Sequence, residues 1–140
     1  MALTLNERQE FLAQPHVAAF SVAGASGRGP LTVPIWYQYQ PGAEPWVLTG
    51  AESQKMRAIK EAGRFTLMVH RTEPTVRYVT VEGPVSRVEP MTDELHLELV
   101  HRYLSGDAAE AYLKQAAGFG AQVVVYLRPE HWLSADLGGV

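Results

Sequence analysis

The 140-residue sequence predicts a mainly β (α+β) fold, a six-stranded antiparallel β-barrel with flanking helices. Three observations lead to this fold class. Strand-like segments follow one another at short spacing, and glycine and proline clusters separate them. Helical segments do not alternate regularly with strands, which argues against a parallel sheet. Hydrophobic residues make up 46% and charged residues 19% of the chain, without a linker or internal repeat, so residues 1–140 are expected to form one domain.

The N-terminal part is predicted to form a helix followed by three strands. Thr4 and Glu7 have the spacing of a capping box, which places a short helix at about residues 6–13 before Pro15 ends it. Three strands are then expected, with turns between them, at 16–22, 31–39 and 46–49. The first two should form a hairpin, and the third should continue the antiparallel arrangement.

The second part is predicted to alternate between helical and extended structure. Ser53 can cap a helix that runs to Ala62, and Gly63 occupies the position where a left-handed residue ends a helix. The remaining predicted elements are a hairpin of strands at 65–69 and 78–82, helical segments at 93–103 and 107–117, and a last strand at 121–131.

Charge and composition exclude several classes of function. Twelve Lys and Arg against 15 Asp and Glu give a net charge of −3, without the basic field that nucleic-acid binding requires. The absence of cysteine excludes disulfides, iron–sulfur clusters and cysteine-ligated zinc, and it is compatible with a reducing cytoplasm. The longest apolar runs are strand-sized, and no signal segment opens the chain. We therefore expect a cytoplasmic protein with no nucleic-acid or membrane partner.

The segment from Thr49 to Arg57 is the most informative for function. It places the Ser53 hydroxyl and the cations Lys55 and Arg57 at a predicted helix start. Free amides and the positive end of the helix dipole make such a start an anion site, which suits a phosphate. The alternative is a solvated helix start in which Ser53 is only a cap. Cations in the first turn oppose the dipole by about 0.3–1 kcal/mol each, and this favours the phosphate site although Glu52 offsets part of the charge.

Pro34 interrupts an apolar strand-like segment. Because proline has no N–H, this position must lie at a sheet edge, at a bulge, or where the backbone faces something other than a neighbouring strand, such as a flat ligand. An edge strand in which proline guards against aggregation is an equally good interpretation. Trp36 and Tyr37, which follow, either line an open space beside a planar ligand or pack in the core.

The other polar residues form no catalytic or metal-binding motif in the sequence. His96 and His101 are five residues apart, so a helix places their rings on different faces, whereas the two-histidine zinc motif needs a spacing of four. A solvated helix face is the preferred interpretation, and no metal site is expected. Tyr78 and Trp132, taken alone, are best explained by aromatic packing.

Six short segments, taken in order, carry a resemblance to a known family. They are 30–37 (PLTVPIWY), 47–50 (VLTG), 53–59 (SQKMRAI), 63–69 (GRFTLMV), 77–85 (RYVTVEGPV) and 127–132 (LRPEHW). Their order and spacing, above all the Ser-x-Lys-x-Arg helix start and the Val-x-Val-Glu-Gly strand, resemble the pyridoxamine 5'-phosphate oxidase-like split-barrel proteins. The resemblance runs from about Glu10 to Asp136.

This resemblance implies a split β-barrel homodimer that binds two equivalent flavin-type cofactors between its subunits. It implies that the cofactor ring lies along Val33, Pro34 and Ile35. It implies that the phosphate is held at Thr49, Ser53, Gln54, Lys55 and Arg57, with Gln54 standing where the vitamin-processing oxidases have arginine. The residues expected from the other subunit are Arg77, Tyr78 and Trp132.

The resemblance also implies the chemistry. Proteins of this family place a cofactor that itself performs hydride transfer, so no acid–base pair is required. FMN is favoured over the 8-hydroxy-5-deazaflavin coenzyme, although both present a phosphate to the same helix start. The C-terminal segment lacks the arginine-bearing substrate segment of the vitamin-processing oxidases, so oxidation of pyridoxamine phosphate is not expected. We expect an oxidoreductase acting on a small planar substrate; a cofactor carrier or redox sensor without turnover is the alternative.

Overall fold

The computed structural model describes residues 1–139, which form four helices and eight strands. The helices are α1 (Leu5–Ala13), α2 (Gln54–Ala62), α3 (Asp93–Tyr103) and α4 (Gly106–Ala116). The strands are β1 (Ala18–Val22), β2 (Leu31–Ile35), β3 (Tyr37–Gln38), β4 (Trp46–Gly50), β5 (Arg64–Arg71), β6 (Val76–Pro90), β7 (Gln122–Leu127) and β8 (His131–Gly138). Within the described range, no helix is long and apolar enough to cross a membrane.

All strand pairs are antiparallel, and they follow the order β2-β1-β5-β6-β7-β4-β3, with β8 also paired to β6. The 15-residue β6 belongs to both halves of the barrel, because its first part pairs with β5 and β8 and its last part pairs with β7. We call β2-β1-β5-β6-β8 the first half-sheet and β6-β7-β4-β3 the second half-sheet. A register shift between Val85 and Arg87 bends β6 where it passes from one to the other.

Gly83 is required at this crossing. A Cβ atom at this position would lie 1.8 Å from the carbonyl oxygen of Arg128, so no residue with a side chain fits without moving the backbone. The close approach allows the amide of Arg128 to donate to the carbonyl of Pro84 at 2.9 Å and the amide of Glu130 to donate to the carbonyl of Glu82 at 2.9 Å. The segment after β7 is therefore hydrogen-bonded to β6 on its way to β8.

The main core lies inside the barrel. Its fully buried strand residues include Phe20, Leu67, Val81 and Leu127, and α1 and α2 cover it with buried Leu12 and Ile59 among others. Burying a side chain of this size contributes about 1.5–3 kcal/mol, so the two helices are held chiefly by these apolar contacts. A smaller cluster lies between α3 and the second half-sheet and comprises Trp46, Leu99, Val124 and Tyr126.

The helix ends agree with the sequence signals. Thr4 and Glu7 form the predicted capping box at the start of α1. The Ser53 hydroxyl accepts a hydrogen bond from the amide of Met56 at 3.1 Å and caps α2, and Gly63 ends α2 in the left-handed conformation with a φ of 73°. The positive φ explains why glycine occupies this position.

The predicted fold class is confirmed, with eight strands instead of six. The expected strand at 31–39 is two strands, because the chain leaves the first half-sheet at Trp36: β2 pairs with β1, whereas β3 pairs with β4. Consequently, it is β3 and not β2 that pairs with β4, the third predicted strand. The two predicted hairpins, β1–β2 and β5–β6, are present.

The last predicted strand, 121–131, ends at Leu127, and the further strand β8 begins at His131. The period-2 pattern of β8 is not that of a core strand. Ser134 lies opposite buried Val79 on the inner side, whereas Leu133 and Leu137 are exposed on the outer side. Because the inner side mixes Trp132 with Ser134 and Asp136 while two leucines face outwards, the alternation gave no signal for a buried face.

Candidate functional site

A cleft of about 480 Å³ opens where the barrel is split. The edge strand β2 contributes Pro34 and Ile35 to it, and β4 contributes Thr49 and Gly50. Since β2 and β4 are not paired with each other, the cleft occupies the gap between them. The start of α2, the helices α3 and α4, and the segment that follows α4 also line it. The volume is within the range of about 300–1,000 Å³ that is usual for small-molecule and cofactor sites.

Hydroxyl groups and helix amides meet at the α2 end of the cleft. Thr49 is buried, with 3% of its surface exposed, and its Oγ1 lies 2.9 Å from Oγ of Ser53. Ser53 Oγ accepts the amide of Met56, and the first intrahelical bond runs from the amide of Arg57 to the carbonyl of Ser53 at 3.1 Å. The first-turn amides of Gln54 and Lys55 therefore have no intrahelical acceptor and point along the positive end of the helix dipole.

Two cations lie at the same helix start. Lys55 lines the cleft, and exposed Arg57 folds back so that its Nη1 donates to the carbonyl of Glu52 at 2.7 Å. The first turn of α2 contains no acidic residue. Gln54 is exposed on this turn. We call the group formed by Thr49, Ser53, Lys55 and the free amides the cradle; its donors and positive charge are those that suit an anion.

Aromatic side chains form one wall of the cleft. Trp36, between β2 and β3, stacks on Tyr103 of α3 with ring centroids 4.7 Å apart and an interplanar angle of 7°. Tyr112 of α4 lies 5.1 Å from Trp36, and Phe119, after α4, lies 6.4 Å from Tyr112. Of the two alternatives that the sequence left open, Trp36 lines the cleft, whereas Tyr37 is fully buried in the main core.

Hydrogen bonds fix the position of this wall. The Tyr103 hydroxyl donates to the carbonyl of His16 at 2.7 Å, accepts the amide of Tyr37 at 3.2 Å, and lies 3.0 Å from the carbonyl of Tyr37. The neighbouring Arg102 donates to the carbonyls of Ala13 and Gln14 at 2.9 and 2.8 Å. These bonds tie α3 to the chain on both sides of Trp36, so the indole has a defined position without a ligand.

The three predicted ring contacts lie on the edge strand, as a proline in a strand requires. Pro34 and Ile35 line the cleft. Val33 does not, because its side chain points to the core side opposite Phe20, and it lies beside a second, shallow depression of about 320 Å³. Pro34 also borders that depression, together with Met68 and His70, so it is exposed on both sides of the strand edge.

Arg77, Tyr78 and Trp132 lie outside the cleft of their own chain. Arg77 Nε donates to Oδ2 of Asp136 at 2.9 Å on the side of the sheet that α1 covers. The amide of Gly138, the hydroxyl of Thr75 and the Arg77 guanidinium together lower the pKa of Asp136 to about 2. Trp132 lies under the guanidinium of Arg8, 4.6 Å from its ring centroid. Their contribution to a second copy of the chain stays a prediction.

One row of side chains on the outer surface of the first half-sheet is mainly apolar, and the adjacent row, which includes Ser21, Thr66 and Glu82, is polar. Five residues lie in register across its five strands, one on each, alternating with buried core residues: Pro34, Ala19, Met68, Thr80 and Leu133. Tyr78 lies on this face in the neighbouring row, opposite His70 and Ala135. Leu133 is 63% exposed. We call this surface the outer face.

His96 is the functional candidate that sequence reasoning missed. The sequence indicated a solvated helix face, but the His96 ring lines the cleft and meets Tyr112 edge-on, with centroids 6.1 Å apart. His101 is exposed, as expected. Gln122 of β7 also lines the cleft. No sequence signal reveals either residue, because α4 and β7 reach the cleft only through tertiary packing. In residues 1–139, no group of three or more His, Asp or Glu is arranged to hold a metal ion.

Comparisons with known proteins extend over nearly the whole chain. A solved structure of a conserved hypothetical protein from Mycobacterium tuberculosis is 22% identical with a TM-score of 0.73, covering 97% of this chain and 86% of its own. An F420 reductase is 22% identical with a TM-score of 0.71, covering 89% and 94%. An FAD-binding protein from Mesorhizobium loti is 16% identical with a TM-score of 0.62, covering 97% and 95%.

Among curated protein sequences, no match was found. The structural neighbours, at these identities, establish the fold. Family membership follows from the sequence profile described as pyridoxamine 5'-phosphate oxidase, which matches residues 5–135. This chain therefore belongs to the pyridoxamine 5'-phosphate oxidase family.

Proposed function

We propose that this protein is a flavin- or deazaflavin-dependent oxidoreductase that transfers a hydride to or from a small planar substrate. The cofactor phosphate binds at the cradle, and its ring lies along β2. Membership of the pyridoxamine 5'-phosphate oxidase family supports this proposal. Further support comes from the similar structures described as an F420 reductase and as an FAD-binding protein.

One observation carries the proposal: the cation-bearing start of α2 and the proline-bearing edge of β2 open into the same cleft. Hydroxyls, free first-turn amides and two cations are the donor set that a phosphate dianion requires. The apolar side chains Pro34, Ile35 and Trp36 line the same cleft. The residues present therefore fit a ligand that joins a phosphate to a flat ring.

The cofactor, when bound, supplies the chemistry of hydride transfer. The residues of the chain bind and orient it. The Ser53 hydroxyl and the amides of α2 donate to phosphate oxygens, and Lys55 and Arg57 neutralise their charge. Pro34 presents an apolar surface with no N–H to be left unpaired beside the ring. The helices α3 and α4 cover the cleft and reduce the access of water to it.

FMN is the cofactor that we propose first, and the 8-hydroxy-5-deazaflavin coenzyme is the alternative. The cradle serves both, since each carries a phosphate. The absorption spectrum of the purified protein, followed by calorimetric titration with each compound, tests the assignment. We expect saturable binding of FMN with one site per chain. Tighter binding of the deazaflavin would replace FMN in the proposal, and binding of neither would refute it.

Turnover is tested separately from binding. Stopped-flow spectra of the loaded protein, mixed with reduced nicotinamide or reduced deazaflavin and then with planar acceptors such as quinones or tetrapyrroles, should show faster redox change than the free cofactor does. A bound cofactor that reacts no faster than the free one would make the protein a carrier or redox sensor.

We further propose a homodimer that places each cofactor between two copies of the chain through the outer face. Its row of apolar and small side chains across five strands is a surface that a second copy can cover. Tyr78 on this face is the predicted second-copy residue that favours the arrangement. In sedimentation equilibrium, Leu133→Glu should yield monomers. The control is Leu97→Glu, at an α3 position that is 41% exposed, and it should remain dimeric. A wild-type monomer that binds cofactor would refute the shared site.

A further inference from the structure

Thr49 is a polar residue that the fold buries. It lies on β4 opposite Val123 of β7, and only 3% of its surface is exposed. Within residues 1–139, its hydroxyl has one hydrogen-bond partner, the hydroxyl of Ser53, with 2.9 Å between the two oxygens. A buried hydroxyl whose hydrogen has no acceptor costs free energy, so the Thr49 hydrogen is expected to point at Ser53.

Ser53 has a different set of neighbours. Its Oγ also accepts the amide of Met56 at 3.1 Å, and the residue is only partly buried at the start of α2. A serine hydroxyl has one hydrogen to donate and two lone pairs to accept. When Thr49 and Met56 donate to the two lone pairs, the hydrogen is the part of the Ser53 hydroxyl that remains for a ligand.

We propose that Thr49 is a positioning residue: it donates its hydrogen bond to Ser53 and thereby directs the Ser53 hydrogen to the anion that binds at the cradle. Thr49 then contributes to binding through Ser53 and does not itself contact the phosphate. The inference rests on the proposed function in taking this anion to be the cofactor phosphate. It differs from the role that the family resemblance implies, in which Thr49 holds the phosphate itself.

The opposite direction of the same hydrogen bond would have a different result. If Ser53 donated to Thr49, the Thr49 hydrogen would need another acceptor, and its hydroxyl has no second partner in the described part of the chain. Ser53 would then present a lone pair beside the free amides of Gln54 and Lys55, and a lone pair repels a phosphate oxygen. The direction from Thr49 to Ser53 leaves no buried hydrogen unpaired and gives the cradle one more donor.

Backbone hydrogen bonds fix the distance between the two hydroxyls. The amide of Ser53 donates to the carbonyl of Gly50 at 3.0 Å, and the amide of Ala51 donates to the carbonyl of Ala121 at 2.9 Å. The turn between β4 and α2 is therefore tied both to itself and to the chain before β7, while Thr49 is paired within the sheet. The Ser53 hydroxyl is thus oriented before an anion arrives, and such preorganisation increases affinity without additional contacts.

Thr49→Val tests the direction of the bond, because valine keeps the shape of threonine and removes the hydroxyl. In calorimetric titrations, we expect this variant to bind FMN about fivefold more weakly than the wild type. Riboflavin has the same ring system without a phosphate and should bind both proteins equally. Thr49→Ser keeps the donor and should restore most of the FMN affinity. An FMN affinity that rises or stays unchanged in Thr49→Val, or an equal loss for riboflavin, would overturn the proposal.

A double-mutant cycle decides whether Thr49 acts through Ser53. In the Ser53→Ala background, Thr49→Val should cause no further loss of FMN affinity, because the hydroxyl that Thr49 orients is already absent. A loss of the same size in both backgrounds would mean that Thr49 contacts the phosphate directly, and it would overturn the proposal. The matched control is Thr92→Val, which removes the capping hydroxyl of α3 outside the cleft and should leave the FMN affinity unchanged. An equal loss in this control would also overturn the proposal.

Inorganic phosphate separates this inference from the assignment of the cofactor. Its binding to the cofactor-free protein can be followed through the NMR shifts of the Gln54 and Lys55 backbone amides. Thr49→Val should weaken phosphate binding by about the same factor as FMN binding, and only when Ser53 is present. If FMN fails to bind while phosphate shows this dependence, the cofactor proposal is refuted and the role of Thr49 stands. If the wild type binds neither compound, both proposals are overturned.

Discussion

The helices α2 and α3 begin with the same capping chemistry but opposite charges. Ser53 accepts the amide of Met56 at 3.1 Å, and Thr92 accepts the amide of Leu95 at 3.2 Å. The first turn of α3 carries two acidic residues and its last turn two basic ones, as its own dipole favours. The first turn of α2 has no acidic residue and carries cations. The charges at the start of α3 thus favour its own dipole, whereas the cations at the start of α2 oppose the dipole of that helix.

The largest effect should come from the structural helix. Arg102 of α3 donates to the carbonyls of Ala13 and Gln14 and to Oε1 of Gln38, so Arg102→Leu leaves several acceptors without partners. We expect the free energy of unfolding to fall by about 3 kcal/mol in urea titrations. Arg57→Leu on α2, which removes an exposed cation, is the control and should cost far less. Equal losses in the two variants would remove the contrast between the helices.

The cations of α2 should matter for affinity instead. Lys55→Ala and Arg57→Ala should each weaken binding of the phosphate-bearing cofactor by about 1.5–3 kcal/mol, because each removes a charge-assisted hydrogen bond. Lys60→Ala, in the last turn of the same helix, is the matched control and should leave the affinity unchanged in calorimetry. If all three variants bind equally well, the start of α2 is only a solvated surface.

The two caps offer a more direct comparison. Ser53→Ala and Thr92→Ala each remove one side-chain acceptor from a helix start, so both should lower the free energy of unfolding by about 1 kcal/mol. Only Ser53→Ala should also weaken cofactor binding, since its hydroxyl belongs to the cradle. Thermal denaturation and calorimetry on the same samples measure both quantities, and a comparable loss of affinity in Thr92→Ala would contradict the assignment.

The smallest expected effect is a change in the free energy of unfolding whose sign tests the dipole argument. In the cofactor-free protein, Lys55→Ala removes a cation from the positive end of the α2 dipole and should raise the free energy of unfolding, by about 0.3–1 kcal/mol at low ionic strength. Lys60→Ala removes a cation from the negative end of the dipole and should lower the free energy of unfolding by a similar amount. Both replacements gain the same helix propensity, so the difference between them reports the dipole. High salt should remove this difference, and a difference of the opposite sign would contradict the dipole argument.

Local signals were sufficient for most of the fold. Capping residues located the starts of α1 and α2, and Gly63 located the end of α2. Neither the break at Trp36 nor the strand β8 has such a signal. At the first, Trp36 stacks on Tyr103 of a helix distant in sequence, and the second is formed by pairing with β6.

The same distinction holds for the candidate site. Lys55 and Ser53 were identifiable because their chemistry follows from one helix start. For Pro34 the sequence left a sheet edge, a bulge and a ligand-facing position open, because proline restricts strand pairing wherever it occurs, and the structure shows the edge. His96 could not be identified from the sequence, because its place in the cleft depends on packing against Tyr112 of another helix. Residues whose role depends on contacts distant in sequence require the structure.

The strand β6 joins the two half-sheets and has a consequence for how the molecule unfolds. Val79 and Val81 in its first part pair with β5 on one side and β8 on the other, while its last part pairs with β7. Neither half-sheet can lose β6 without exposing the other half, so unfolding should be a single cooperative transition. The amides of this strand should then exchange their hydrogens with solvent most slowly, at a rate set by global unfolding rather than by local opening.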